Sequence, residues 1–209
     1  LKRKTSLLAL APALAFASCS EPQGQPEEGI ETSENAESEM VEEIAEVPSI
    51  DAGIAVGATV PLDANFKTAD GEKTLATILE DGAAILVFTR SVEWCPFCQT
   101  QLKGINAIVG DLQERGYKLY GVSYDSVDSQ GRFSKNQMLD YKMLSDESST
   151  AIDAFGLRDP QYTEGKALGV PYASVVVIDK DGKVTAKSVS GDFKKRPTND
   201  QLLAIVDAI

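Results

Sequence analysis

The sequence predicts an α/β fold in which helices cover both faces of a mixed central sheet. Three observations carry that prediction. Two apolar runs, Ala83 to Thr89 and Tyr117 to Tyr124, read as buried strands, and a helical pattern of apolar residues lies between them. A third run, Ala173 to Ile178, is followed by Asp179-Lys180-Asp181-Gly182 and a further strand, Lys183 to Ser188, which is a strong hairpin signal. Strand, helix, strand, helix, then hairpin and helix cannot close as an all-parallel sheet, so the sheet is mixed.

The remaining elements follow in order. Thr59 to Thr68 holds a short strand that turns at Asp70-Gly71, and Leu75 to Leu79 makes a short helix. Pro96 to Arg115 reads as one long helix, with Leu102, Ile105, Ile108, Val109 and Leu112 on a single apolar stripe and Gly116 as its stop. Asp128 to Met138 is a polar-faced helix, and Met143 to Ser145 a short strand. Ser148 to Phe155 is a helix capped by Ser148 or Ser149, and Thr198 caps the last helix, buried through Leu202, Leu203, Ile205 and Val206.

Trp94-Cys95-Pro96-Phe97-Cys98 stands where the first central strand gives way to the long helix. The chain has three cysteines and no histidine. Without histidine there is no Cys/His zinc site, no Cys–His nucleophile–base pair and no His-ligated copper or haem within this polypeptide; no metal or cofactor is expected. Redox work by the thiols remains. If Cys95 is the helix cap, Pro96 takes the first helical position, where its missing N–H costs nothing. First-turn N–H groups then face the Cys95 sulfur and lower its pKa below the free value of about 8.5. In this geometry Cys95 attacks an electrophilic sulfur and Cys98, one turn in, resolves the mixed disulfide. Trp94 and Phe97 would bracket the sulfur with apolar surface. Two blander readings compete: half of a zinc site, which lacks two ligands, and a structural disulfide, whose short loop stabilises little.

The N-terminus reads as an address. Lys2-Arg3-Lys4 and the apolar stretch Leu7 to Ala17 form a secretory signal pattern, too short for a stable membrane span. Ala15-Phe16-Ala17 offers a cleavage site for a soluble product, whereas Phe16-Ala17-Ser18-Cys19 resembles a bacterial lipoprotein box that would leave Cys19 lipidated. From Ser20 to Gly57 there is no Lys or Arg, and ten glutamates fall between Glu21 and Glu46. Such a run buries too little apolar surface to fold. As a flexible coil its roughly 37 residues would span about 35 Å. The expectation is a signal peptide over 1–18, an acidic tether over 19–56 and one folded domain over 57–209, lipid-anchored in the bacterial cell envelope and facing the periplasm. The net charge of −12 becomes about −15 without the signal, and most of it sits on the tether. A mildly acidic domain of this kind is a poor nucleic-acid binder.

The order and spacing of several short motifs resemble the thioredoxin superfamily. They resemble most its redoxin branch, the alkyl hydroperoxide reductase/thiol-specific antioxidant class. The motifs are Val87-Phe88, Glu93 to Cys98, Asp146-Glu147, Ala154-Phe155-Gly156-Leu157, and Gly169-Val170-Pro171 running into Val175 to Val184. The resemblance covers Gly57 to Ile209 and implies a thioredoxin-like three-layer fold. It also implies a cis bond before Pro171, packed beside the cysteines, with the Val170 backbone open to an incoming substrate chain.

Within that class the sequence departs from the peroxide-reducing members. They carry Thr or Ser three residues before the attacking cysteine, where this chain has Val92, and an arginine after the second proline motif, where it has Tyr172. Arg90, Ser91 or Arg158 could supply thiolate or peroxide support instead. Disulfide-exchanging members often place a buried carboxylate six residues before the first cysteine, where this chain has Thr89. On balance the sequence favours an envelope thiol-disulfide oxidoreductase working through Cys95 and Cys98. The alternatives are a thiol-dependent peroxidase and a membrane-tethered redox-sensing or assembly module without turnover. The partners expected are a disulfide or peroxide substrate, an external thiol as electron donor, and the membrane through the lipid anchor.

Overall fold

The computed structural model describes residues 49–209. The signal pattern, Cys19 and the glutamate-rich run lie outside the described residues. Seven strands form one sheet in the order β2-β1-β5-β4-β3-β6-β7. At its centre β3 (Ala83–Phe88) runs parallel to β4 (Tyr117–Ser123), with Ile85 opposite Leu119, and antiparallel to β6 (Ala173–Ile178), with Leu86 opposite Val176. On one side β4 continues parallel into β5 (Lys142–Ser145), and β5 meets the hairpin of β1 (Asn65–Thr68) and β2 (Gly71–Thr74). On the other, β6 turns through residues 179–182 into β7 (Val184–Ser190). Asp179 closes that turn by accepting from the Asp181 and Lys183 N–H groups at 2.9 and 2.8 Å, and Gly182 takes a positive φ.

The alternation of side chains along the strands divides the core into two layers. Ala84, Leu86 and Phe88 join Tyr120, Val122, Val176 and Ile178 under α1 (Leu75–Leu79) and α5 (Thr150–Ala154). Ile85 and Val87 join Val175 and Val177 under α2 (Pro96–Ile105), α3 (Val109–Glu114), α4 (Val127–Gln137) and α6 (Asn199–Asp207). The sheet is therefore mixed and covered on both faces. Thr198 caps α6 in a reciprocal capping box with Gln201.

Three expectations need correction. The helix predicted over 96–115 is interrupted at residues 106–108 by a 3₁₀ turn, although all five residues of its apolar stripe are buried. Asn106 is pulled towards the end of α4: its amide donates to Met138 O at 3.3 Å and its carbonyl accepts from Asp140 N at 2.7 Å. Glycines at 104 and 110 give the helix little propensity to resist that pull. Ser149 stands at the N-cap of α5, but its side chain makes no cap hydrogen bond; Asp146 supplies the acceptor instead, accepting from Thr150 N at 2.9 Å and Ile152 N at 2.8 Å. The chain also joins the fold before residue 57. Ile50 N bonds Val189 O at 2.8 Å and Gly53 N bonds Gly156 O at 3.2 Å, while Ala52 and Ile54 pack on the core. Apolar residues at alternate positions suffice to dock this short stretch once the glutamates end.

Candidate active site

Cys95 lies where β3 hands over to α2, and the fold holds that junction from below and from the side. Below, Gly121 of β4 lets α2 approach closely: a Cβ there would stand 2.5 Å from Met143 Sδ and 3.2 Å from Leu102 Cδ2. At the side, the carboxylate of Asp125 grips the loop ahead of Cys95. It accepts from Ser91 Oγ and Val92 N, both at 2.6 Å, and from Ser123 Oγ at 2.7 Å. Ser91 Oγ in turn accepts from Glu93 N at 3.0 Å and Trp94 N at 3.3 Å. Burial raises the Asp125 pKa above the ordinary carboxylate value, against the pull of these donors.

Cys95 is the N-cap of α2, Pro96 stands in the first turn, and the Cys98 N–H points at Cys95 Sγ from 3.4 Å. Cys95 and Cys98 are joined as a disulfide. This is the arrangement the spacing predicts, with one difference: both cysteines are buried, Cys95 at 2% exposure and Cys98 at 0%. Residues 193–196 fold back onto the start of α2, which the sequence gives no means to foresee. The Phe193 ring meets Phe97 edge-on at 5.6 Å, and Arg196 donates from Nη2 to Cys98 Sγ at 3.2 Å, from Nη1 to Gln101 Oε1 and from Nε to Phe193 O at 2.9 Å. Burial, and next the charge of Arg90, lower the Arg196 pKa to about 10, so it stays a cation at neutral pH.

The other candidates take distinct places. Phe97 is 42% exposed beside the pair. Trp94 is half-buried and turns its indole N–H to Tyr124 OH at 2.8 Å; Tyr124 OH donates to Lys166 O. Arg90 is buried among aromatic rings, 5.0 Å from Trp94, 4.5 Å from Tyr162 and 4.2 Å from Phe193. Its Nε has no hydrogen-bond partner among the described residues. Arg158 is engaged elsewhere, in a two-point pair with Asp153. The hydroxyl of Thr89 is buried without a hydrogen-bond partner among the described residues; the loop is held instead by Asp125, past the end of β4, and by its own Glu93, which accepts from Ser129 Oγ.

The expectation for Val170-Pro171 fails in both parts. There is no cis peptide bond among the described residues, and the Val170 backbone is already paired: its N–H donates to Ala167 O at 3.2 Å and its C=O accepts from Asp159 N at 2.9 Å. Trans is the default state of an X–Pro bond, and here residues 157–159 run alongside, with Arg158 bridged to Pro171 and Tyr172 N bonded to Leu157 O. That inner segment occupies the edge an incoming chain would need.

Arg196, Asp125, Tyr162 and Phe193 escaped the sequence reading. Arg196, Tyr162 and Phe193 lie on connections without periodic pattern, and Asp125 follows the strand β4 with no local signal that its carboxylate turns back to residues 91 and 92. Among the described residues no group of three or more His, Cys, Asp or Glu side chains could hold a metal ion.

Comparison with known proteins fits this geometry. The family model described as "AhpC/TSA family" matches residues 56–187. Peroxiredoxin Bcp of Escherichia coli (strain K12) is 28% identical over 134 residues, covering 64% of this chain and 84% of that protein. The 1-Cys peroxiredoxin PER1 of Zea mays is 23% identical over 176 residues, covering 75% of this chain and 74% of its own. Among solved structures, peroxidoxin BcpB from Mycobacterium tuberculosis superposes with a TM-score of 0.64 at 26% identity, over 75% of this chain and 98% of that one. A peroxiredoxin-like protein from Aquifex aeolicus gives 0.64 at 24% identity, over 78% and 91%. With a thiol pair at the head of the helix that follows the central strand, and a family match over most of the folded part, the chain belongs to the AhpC/TSA family of thioredoxin-like redoxins.

Proposed function

We propose that this chain is a thiol-dependent peroxidase in which Cys95 attacks and Cys98 resolves. The observation that carries this reading is the guanidinium of Arg196, 3.2 Å from Cys98 Sγ, beside a buried cysteine pair. A small electrophile suits such a site, and the peroxiredoxin relatives point the same way. The closed edge at Val170 removes the backbone pairing that a polypeptide substrate would use.

In the reduced protein, α2's first-turn N–H groups favour thiolate over thiol at Cys95, and Arg196 does so at Cys98. The Cys95 thiolate attacks one peroxide oxygen and the O–O bond breaks. The leaving oxygen takes a proton and departs as water or an alcohol, and Cys95 is left as sulfenic acid. The Cys98 thiol then attacks the Cys95 sulfur, water leaves, and the disulfide forms. An external thiol donor supplies two electrons and two protons to reopen it.

Consumption of hydrogen peroxide by the reduced protein tests this. Cys95→Ser abolishes consumption, and Cys98→Ser leaves a sulfenic acid on Cys95 that dimedone captures; no consumption by the wild type sinks the reading. Disulfide exchange remains a second reading, favoured by the exposed Phe97 ring next to the pair. Insulin reduction that depends on Cys95, without peroxide turnover, would establish it. For residues 1–48 we propose, from sequence alone, delivery to the cell envelope and lipid anchoring through Cys19. Labelled palmitate incorporated by the wild type and not by Cys19→Ser is the expected result.

A further inference from the structure

Beside the disulfide, α2 and the segment leading into α6 enclose a cavity of about 420 Å³, the size of a small-molecule site. Its walls are apolar in Phe97, Ile105, Pro197 and Leu202, and its charged lining consists of Lys194 and Arg196 with no carboxylate. Two cations without an acid stand out in a domain that is itself mildly acidic once the charge of the tether is set aside. A third cation stands behind them: Arg90 and Lys194 both lie against the Phe193 ring, at 4.2 and 5.8 Å, and Arg90 makes no ion pair among the described residues. Arg90 is buried and Arg196 half-buried, and like charges held together in such a place cost free energy unless an anion joins them; Lys194 stands at the exposed mouth. Arg196 links the cavity to the chemistry, since the guanidinium that lines it also touches Cys98 Sγ.

We infer that this cavity binds the organic part of an anionic hydroperoxide, its apolar body against Phe97, Ile105 and Leu202 and its carboxylate on Lys194 and Arg196. The inference rests on the peroxidase reading and narrows its substrate class. The reaction is unchanged: the O–O bond breaks on the Cys95 sulfur, and the product is the alcohol that retains the carboxylate. Organic hydroperoxides with a charged group are preferred over neutral ones of the same shape.

Two measurements on the full chain test this. In the first, the disulfide form is titrated calorimetrically with 4-isopropylbenzoate and with 4-isopropylbenzamide, which need no turnover. The carboxylate should bind about ten-fold tighter, the worth of one charge-assisted contact. Lys194→Gln should reduce that preference, and so should Thr100→Asp, which sets an acid at an exposed lining position of α2. Equal binding of the two probes by the wild type overturns the inference.

In the second, the hydroperoxide of 4-isopropylbenzoate is compared with its methyl ester, using neutral dithiothreitol as reductant. A kcat/KM ratio well above one that falls towards one in Thr100→Asp supports the assignment. A ratio of one while both peroxides are consumed overturns it and leaves the peroxidase standing. Benzoate binding without consumption of any peroxide removes the peroxidase reading, and the substrate class with it. If Lys194→Gln alters only the rate with 3-mercaptopropionate as reductant, and not with 2-mercaptoethanol, the cavity serves the reducing thiol and the inference fails.

Discussion

Among the described residues three helices, α2, α4 and α5, begin after the C-terminal end of a parallel strand, and α5 and α2 treat their first N–H groups in opposite ways. At α5 the carboxylate of Asp146 accepts from two of them, at 2.9 and 2.8 Å, and leaves them nothing further to do. At α2 the acceptor is the Cys95 sulfur, at 3.4 Å from the Cys98 N–H, a soft and weak partner in its oxidised form. The arginines differ in the same sense. Arg158 is matched by Asp153, whereas Arg90 and Arg196 face rings, carbonyls and sulfur. One end is finished electrostatically. The other is left poised for a negative charge that appears only when the disulfide is reduced or an anion arrives.

Substitutions should separate the two ends, beginning with the largest effect. Cys95→Ser should lower peroxide turnover by about 10³-fold or more with little change in Tm, because a disulfide closing so short a loop contributes little. Asp146→Ala should do the reverse. Leaving two helix N–H groups without their acceptor costs about 1–3 kcal/mol, read as a Tm several degrees lower with turnover per folded molecule unchanged. Loss of activity in the Asp146 variant would dissolve the contrast.

Arg196→Gln should raise the apparent thiol pKa of the reduced pair by about one unit, measured by thiolate absorbance against pH. Arg158→Gln should leave that titration where it was and cost below about 1 kcal/mol, as exposed pairs do. Asp125→Asn should destabilise the fold by about 1–3 kcal/mol, since an amide cannot accept from both Ser91 and Val92 without turning its NH₂ on one of them. The sign of its pH dependence is fixed by burial. The folded state keeps the Asp125 proton above the usual carboxylate value of 3.8, so wild-type stability from this group is highest in acid and declines as pH rises through the window above it. The deficit of the variant should therefore shrink over the same window in denaturant titrations. Thr198→Ala, which removes half of the capping box of α6, should cost about 1 kcal/mol, read in denaturant titrations.

What was legible beforehand follows the same division. Strands and helices with periodic apolar faces, the Asp179 to Gly182 turn and the Thr198 cap could all be read from neighbours in the chain. So could the position of Cys95 at the head of α2, because Pro96 and the spacing to Cys98 are local signals. The interruption at Asn106 could not, since its cause lies in Met138 and Asp140 across a loop. Nor could the cover over the cysteines. Arg196 comes 98 residues after Cys98, on an irregular connection whose composition says nothing of where it lands. The resemblance to the family misled at Pro171 because Asp159 N and Ala167 O already engage the C=O and N–H of Val170.

Trp94 is the only tryptophan in the chain and the immediate neighbour of Cys95. Its indole is bonded to Tyr124 and flanked by Arg90 at 5.0 Å and Lys166 at 5.1 Å. All indole emission from this protein thus originates at one point, beside two cations and next in sequence to a sulfur whose disulfide is an electron-accepting quencher that reduction removes. The molecule carries its own optical gauge, and a fluorescence trace in a stopped-flow cell can time oxidation and recovery without any added label.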